Sequence, residues 1–136
     1  SYVRNVFRET MRLYPPITFI PRVAAEKTRI GRHAVKKGAM IMISPWIIHR
    51  HRDYWVEPHG FDPDRFSAAR EGELVQGAYL PFGLGPRVCA GASFATAEAT
   101  LILARLARRY DFRALDAANV RPVARLTTRP ARQIIC

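Results

Sequence analysis

The segment covering residues 81–91 constrains this chain more than any other, because it surrounds one cysteine with glycines. It reads Pro-Phe-Gly-Leu-Gly-Pro-Arg-Val-Cys-Ala-Gly, with Cys89 near its end and Gly83, Gly85 and Gly91 around it. Glycine allows positive φ angles and lets the backbone approach another group closely. The segment can therefore lie against a flat molecule and present one sulfur to it.

Length and cysteine content narrow the class of protein. The 136 residues, 49% of them hydrophobic, suffice for one ordinary core rather than for two domains. Cysteine occurs only at Cys89 and Cys136, so a disulfide framework is not expected. No apolar run of about 20 residues occurs, and no membrane-spanning helix is predicted. Because the residues after Ser1 already read as a helix interior, we expect the sequence to be a piece of a longer chain.

The net charge of +11 is carried mostly by arginine. Such a field attracts acidic partners such as nucleic acid, anionic lipid or an acidic protein, and charge alone does not choose among them. An arginine-rich nucleic-acid-binding module is therefore one open hypothesis, although no motif that reads nucleic acid is recognisable. The arginines of the last third are Arg105, Arg108, Arg109, Arg113, Arg121, Arg125, Arg129 and Arg132.

Apolar spacing and breaker residues predict an α+β chain. Residues 1–14 read as a helix that ends at Pro15 and Pro16. Residues 17–48 read as short antiparallel hairpin strands, with a helical turn over 44–51 that buries Trp46 and Ile47. Residues 52–80 read as an ordered irregular segment, because prolines break regular structure there while aromatic side chains spaced along it can pack and pin it in place. The pinning residues are Trp55, Phe61 and Phe66.

The strongest predicted element is a long helix over residues 91–110. Its alanines favour a helix, Phe94 and Leu101 lie on one face, and Leu103 and Leu106 widen that apolar face, so we expect the helix to be well buried. Cys89 would lie just before its N-terminus, where the helix dipole favours an anion. Beyond Asp111, short closing strands are expected around Phe112, Val120, Val123, Leu126, Ile134 and Ile135.

Residue types alone leave several functions open for Cys89. A lone cysteine is most often a buried small hydrophobe, and a nucleophilic thiol is another option. Zinc would require nearby ligands, whereas the four histidines, His33, His49, His51 and His59, are dispersed. Taken alone, Glu9 and Arg12 are three apart on a helix and could form a solvated surface pair.

Three motifs together resemble one family, the haem-thiolate monooxygenases or cytochromes P-450. Residues 82–91, Phe-Gly-x-Gly-x-Arg-x-Cys-x-Gly, resemble its cysteine loop, and Glu9-x-x-Arg12 before two prolines resembles its Glu-x-x-Arg helix. Residues 61–66, Phe-Asp-Pro-Asp-Arg-Phe, resemble its Phe-x-Pro-x-Arg-Phe element. The motifs occur in the family's order. The resemblance covers essentially the whole chain and matches the C-terminal part, roughly the last third, of one mainly helical monooxygenase domain.

The resemblance implies roles for the loop residues. Cys89 would be the thiolate ligand of the iron in haem b, iron protoporphyrin IX. Phe82 would pack beside the haem, and the backbone around Gly83 and Gly91 would surround the sulfur. The guanidinium groups at Arg87 and Arg22 would pair with haem propionates, and His49 could lie near the haem. These cofactor-binding residues are Cys89, Phe82, Gly83, Arg87, Gly91 and Arg22.

The resemblance also separates structural from substrate-facing residues. Glu9, Arg12 and Arg65 would form a buried charge triad that holds the irregular segment and shapes the cysteine loop, with no catalytic role. The substrate-lining positions would be Thr18, Phe19, Ile20 and Thr127, the last beside Leu126 and Thr128. The family's oxygen-activating helix would precede residue 1, so this chain would hold no catalytic residue and would be inactive alone.

Partners follow from the same resemblance. An electron-donor protein of the ferredoxin or flavin reductase type would dock near Arg105, Arg108 and Arg109, and O₂ would react with an apolar organic substrate. We expect no nucleic-acid partner, no membrane span within the chain and a cytoplasmic location. A non-catalytic remnant that keeps the motifs is the remaining alternative.

Overall fold

A computed structural model describes residues 1–115, 119–124 and 127–135. Within these residues, three α-helices span Tyr2–Leu13 (α1), Pro45–Ile48 (α2) and Ala92–Arg109 (α3). The strands are β1 (Ile20–Val23), β2 (Thr28–Ile30), β3 (His33–Val35), β4 (Met40–Ile43), β5 (Pro122–Ala124) and β6 (Thr128–Pro130). Single 3₁₀ turns cover Pro63–Phe66, Glu71–Glu73 and Gly85–Arg87. The α+β prediction is confirmed.

Helix α1 ends where the sequence predicts. Its last carbonyl-to-amide bond runs from the N–H of Tyr14 to the oxygen of Thr10 at 2.7 Å, and Pro15 then cannot continue the ladder. The buried residues of the helix mix apolar and charged side chains, since Met11 and Leu13 are buried together with Glu9 and Arg12. This face therefore contributes both to packing and to a polar network.

The strands form three separate two-stranded antiparallel sheets. Strand β1 pairs with β4 in a register that sets Ile20 opposite Ile43 and Val23 opposite Met40. Strands β2 and β3 form a hairpin between them, and β5 pairs with β6 near the C-terminus. The predicted antiparallel strands over residues 17–48 are confirmed. Of the predicted closing positions, Val123 lies in β5, and Leu126 lies outside the described residues. The predicted positions that lie outside the strands are Phe112, Val120, Ile134 and Ile135.

A small aromatic core holds the irregular segment. Trp55, Phe66 and Ala78 are each 3% exposed, and Tyr79 packs against them. The prediction that Phe61 also pins this segment is wrong, because its side chain is 52% exposed. The backbone on either side of Phe61 is held instead by hydrogen bonds to buried charged groups, described below.

Helix α2 is a single turn, which explains a second difference from the sequence prediction. Trp46 is half-buried beneath the guanidinium of Arg50, 3.6 Å above its ring, but Ile47 is 58% exposed. The predicted burial of Ile47 is therefore wrong. Consecutive residues on a short helix point in different directions, so neighbouring apolar positions cannot both face the same core.

Helix α3 forms over the predicted residues but is not buried. None of its residues, all of which the structure describes, is buried, and Phe94 and Leu101 are each 71% exposed. The prediction of a well-buried helix is wrong for this chain. Its packing partner in the described part of the chain is α1, which covers one side only and leaves the apolar positions on the other sides open.

Candidate functional site

The cysteine loop is a series of tight turns between the core and α3. The N–H of Gly83 donates to the oxygen of Leu80 at 3.1 Å, and the N–H of Cys89 donates to the oxygen of Phe82 at 2.9 Å. Gly83 and Gly85 have φ angles of +77° and +70°, so the predicted left-handed turns are confirmed there. At the N-terminal boundary of α3, Gly91 has φ of −85°. A Cβ at this position would lie 3.9 Å from the Cys89 sulfur, an ordinary contact distance, so Gly91 lies next to the sulfur but is not required there by space.

Beside the loop lies a cleft of about 600 Å³ with mostly apolar walls. Its lining comes from residues 81–89 and from the stretch that runs from the end of α1 into β1. Cys89 and Arg87 line the cleft and are exposed, and Arg22, which also lines it, is half-buried. The described residues that line it are Met11, Pro16, Ile17, Ile20, Arg22, Pro81, Phe82, Gly83, Arg87 and Cys89.

This donor set fits a haem. One cysteine and two arginines line the same mostly apolar cleft, so a sulfur ligand and two partners for carboxylates are available there. Exposure also excludes the alternative that Cys89 is a buried small hydrophobe. In the part of the chain that the structure describes, no three His, Cys, Asp or Glu side chains cluster as metal ligands would.

The predicted substrate-facing positions separate into two groups. Ile20 lines the cleft, but Thr18, Phe19 and Thr127 are not among the described residues that do so. The oxygen of Thr18 accepts a hydrogen bond from the Ser44 hydroxyl at 3.0 Å, and Phe19 is half exposed. Thr128, the third residue of the predicted late turn, bonds to the backbone of Pro15 and Pro16. Leu126, the first, lies outside the described residues.

Thr128 ties the C-terminal hairpin to the start of the cleft wall. Its hydroxyl donates to the oxygen of Pro15 at 2.6 Å, and its N–H donates to the oxygen of Pro16 at 2.8 Å. Sequence reasoning missed Met11, Pro16 and Ile17 as lining residues. The position of Ile17 directly after the two prolines was the available signal, whereas nothing in the local sequence marks Met11 as a lining residue.

Glu9, Arg12 and Arg65 form one buried charge network. Oxygens of the Glu9 carboxylate lie 2.7 Å from Nε and 2.8 Å from Nη2 of Arg12, and 3.1 Å from Nε of Arg65. The N–H of Asp62 adds a fourth donor at 2.9 Å. Glu9 and Arg12 are 0% exposed, so the alternative of a solvated surface pair is wrong. Two cations and four donors around one carboxylate compensate its burial.

The remaining guanidinium donors hold the irregular segment by its carbonyls. Arg12 donates to the oxygens of Pro58 at 2.7 Å and Gly60 at 2.9 Å. Arg65 donates to the oxygens of Val56 at 2.6 Å and Glu57 at 3.0 Å. Glu57 has φ of +47°, an uncommon angle for a side-chain-bearing residue, and the Arg65 bond secures it. The segment thus keeps an irregular path because charges fixed in the core satisfy its backbone.

His49, the residue after α2, is a further buried polar group and contacts the end of α1, and sequence reasoning did not identify its contacts. Its Nε2 accepts the N–H of Leu80 at 2.9 Å, so its proton lies on Nδ1, which donates to the oxygen of Arg12 at 3.0 Å. Burial, helped by the charges of Arg12 and Arg50, lowers the pKa of His49 to about 4. Full burial keeps the ring off the surface of the cleft.

The basic end of α3 lies in solvent. Arg108 and Arg109 occupy its last turn, where a positive charge is favourable to the helix dipole, and Arg105 is one turn earlier. All three are exposed. Among the helices of the described residues, none combines the length and the apolar character that crossing a membrane requires.

Comparison with known sequences identifies the family of this chain. The chain belongs to the cytochrome P450 family, whose model matches residues 1–136. It is 38% identical over 136 residues to cyclooctatin synthase of Streptomyces melanosporofaciens, covering 98% of this chain and 30% of the relative. It is 36% identical over 116 residues to tabersonine 16-hydroxylase 1 of Catharanthus roseus, covering 82% of this chain and 22% of the relative.

Solved structures agree on the fold. The crystal structure of the cytochrome P450DA heme domain superposes with a TM-score of 0.87 at 27% identity, covering 94% of this chain and 28% of that one. A second cytochrome P450 gives a TM-score of 0.88 at 30% identity. The chain therefore spans less than a third of the length of these relatives, 30% of the first and 28% of the heme domain.

Proposed function

We propose that residues 1–136 form the C-terminal part of one haem-thiolate monooxygenase domain and that Cys89 is its proximal iron ligand. The observation that carries this proposal is that residues distant in sequence line the same cleft as Cys89. Two segments some sixty residues apart in the chain meet at one apolar cleft, where Cys89 is exposed beside Arg22 and Arg87. The bound haem b would supply the activation of O₂ that inserts one oxygen atom into an organic substrate.

The residues of the chain would hold this cofactor in three ways. The Cys89 sulfur would bind the iron as a thiolate, and backbone N–H groups of the turns around it would tune its basicity. Arg22 and Arg87 would pair with the propionate carboxylates through their planar donor forks. Phe82 and Ile20 would supply apolar walls that exclude water.

The substrate side of the proposal is narrower than the sequence prediction. Ile20 on β1 lines the cleft and is the position through which this chain would meet an apolar substrate. For Thr18, Phe19 and Thr127 a substrate contact stays a prediction. The groups that activate O₂ would lie outside residues 1–136, so no catalytic residue is assigned within them.

The test of this proposal is the spectrum of the reduced, CO-bound full-length protein. Cys89→Ser should abolish the red-shifted Soret band that thiolate ligation produces, because a serine hydroxyl is not a thiolate donor. Cys136→Ser, which removes the other cysteine of the chain, is the matched control and should keep the band. A band that survives Cys89→Ser, or that disappears with Cys136→Ser, would contradict the assignment.

A further inference from the structure

His49 connects helix α1 to the segment that leads into the cysteine loop. Arg12 and His49 exchange two hydrogen bonds, since Nδ1–H of the ring donates to the Arg12 oxygen at 3.0 Å and Nη1 of Arg12 donates to the His49 oxygen at 2.7 Å. The other ring nitrogen accepts the N–H of Leu80 at 2.9 Å. One fully buried imidazole therefore links the charge network to a backbone amide just before the loop.

The Leu80 amide depends on this ring. Leu80 is 6% exposed and belongs to neither a helix nor a strand, so its N–H has no ladder partner and is satisfied by the imidazole. Leaving a buried amide without a partner is costly. Replacing the acceptor would therefore favour displacement of Leu80 toward water or toward another acceptor.

Displacement of Leu80 would reach the sulfur through a short chain of backbone bonds. The Leu80 oxygen accepts the N–H of Gly83, and the Phe82 oxygen accepts the N–H of Cys89. The preceding residue, Tyr79, stacks on the His49 ring with centroids 5.5 Å apart, and its hydroxyl donates to the Arg8 oxygen at 3.0 Å. The entry to the loop is thus attached to α1 at two adjacent residues.

From these contacts we propose that His49 is a positioning residue for Cys89. Its hydrogen bonds to Arg12 and to the Leu80 amide fix the start of the cysteine loop relative to the Glu9–Arg12–Arg65 network. An effect of His49 on iron ligation rests on the proposed function, whereas the hydrogen bonds by which His49 anchors the loop do not depend on it.

Two amide substitutions separate the two bonds of the ring. In His49→Gln the side-chain oxygen can take the place of Nε2 and accept from Leu80, while in His49→Asn the side-chain N–H can take the place of Nδ1 and donate to Arg12. Both variants are uncharged and both lose the ring. They differ in which bond survives, so they are matched controls for each other.

The experiment measures both variants in the haem-loaded full-length protein. In His49→Asn, amide hydrogen exchange of the peptide covering residues 79–92 should accelerate about tenfold, the effect of one lost buried hydrogen bond. A large share of the thiolate Soret band of the reduced, CO-bound protein should be lost at the same time. His49→Gln should stay within about threefold of wild-type exchange and keep the band.

An ester linkage in place of the Leu80 amide removes the donor and leaves His49 untouched. It should reproduce the His49→Asn result, and it decides the question if that variant does not fold. Equal effects of Asn and Gln in proportion to their loss of global stability would overturn the inference, as would wild-type exchange in the ester. If the band survives Cys89→Ser, the proposed function fails, and the exchange difference still supports or overturns the anchoring of the loop.

Discussion

At the scale of single residues, the buried Glu9 carboxylate joins helix α1 to the irregular segment over residues 52–80. Its oxygens accept from two guanidinium groups and from the Asp62 amide, and each guanidinium in turn holds carbonyls of the irregular segment. Because both cations are buried with it, neutralising the carboxylate strands two positive charges in the core. Removing the charge of this carboxylate should therefore cost much more free energy of unfolding than removing the charge of a surface carboxylate.

Glu9→Gln should lower the free energy of unfolding by about 3–5 kcal/mol, the cost of breaking a buried ion pair from one side. Glu71→Gln is the matched control, because Glu71 is also paired with an α1 arginine, Arg8 at 3.0 Å, but its side chain is 58% exposed. It should cost less than about 1 kcal/mol. Denaturant unfolding of both variants measures the difference, and similar losses for the two would refute the role of burial.

His49 makes stability depend on pH. Its pKa is about 4 in the folded protein and 6.5 as the ordinary value, because burial and the nearby charges of Arg12 and Arg50 disfavour the imidazolium. Between these values the unfolded chain binds the proton and the folded chain does not. The contribution of His49 is therefore complete above pH 6.5, is lost as pH falls from 6.5 to about 4, and is constant below that.

The expected loss over this window is about 3 kcal/mol, from 1.4 kcal/mol for each unit of pKa difference. His49→Gln cannot titrate, so the difference in unfolding free energy between wild type and this variant should slope between pH 6.5 and 4 and be flat above it. Unfolding curves at a series of pH values give that difference. A difference independent of pH would show that the ring is not held neutral.

The conformation of single residues was predictable from the sequence where only one residue type readily adopts it. Positive φ at Gly83 and Gly85 followed from glycines packed around a cysteine, because other residues rarely adopt it. The contacts of His49 could not be predicted, since they join residues separated by 31 and 37 positions and no local pattern marks them. The exposure of the Phe61 side chain could not be predicted either. The backbone beside it is held by a hydrogen bond from Arg12, which is distant in sequence, and not by packing of the Phe61 ring.

At the scale of elements, the bounds of α1 and α3 followed from proline, alanine and apolar spacing, and both were predicted to within about two residues. Burial of α3 was not predictable. An apolar helix face shows that a helix can be covered, while the covering depends on which elements lie beside it, and here that is α1. The same reasoning applies to Ile47 on α2, whose single turn has no room for two inward-facing neighbours.

Ser44 fastens β4, α2 and the cleft wall together. Its hydroxyl accepts the N–H of Ile47 as a helix cap and donates to the oxygen of Thr18 beside β1. Ser44→Ala should lower the free energy of unfolding by about 1–2 kcal/mol, since it removes a cap and a partly buried bond. Ser93→Ala, at an exposed position of α3, should change it by less than about 0.5 kcal/mol. Thermal or denaturant unfolding compares the two, and equal effects would contradict the fastening role.

At the scale of the whole molecule, a cluster of exposed arginines and the cysteine loop lie at opposite ends of helix α3. The cysteine loop leads into the start of α3, and Arg105, Arg108 and Arg109 occupy its exposed C-terminal half. The net charge of +11 favours an acidic partner in general, and the haem-thiolate proposal gives that partner a chemical task, the delivery of electrons. We therefore propose that an acidic donor of the ferredoxin or flavin reductase type approaches this end of α3.

Charge reversal tests where the donor approaches. Arg108→Glu with Arg109→Glu should slow reduction by an acidic ferredoxin-type donor about tenfold at low ionic strength, because steering depends on the local field. The difference should shrink as salt is added, since screening weakens exposed charges over about 10 Å. Stopped-flow reduction of the full-length protein measures these rates.

The matched control reverses two exposed arginines of the β2–β3 hairpin, Arg29→Glu with Arg32→Glu, which changes the net charge by the same amount. If only the overall charge mattered, both double variants would slow reduction equally, and the end of α3 would not be the approach surface. A selective, salt-sensitive loss in the α3 variant would instead tie the arginines of this helix to electron delivery. Both variants should keep the CO-bound thiolate band, because neither pair of arginines lines the cleft as described.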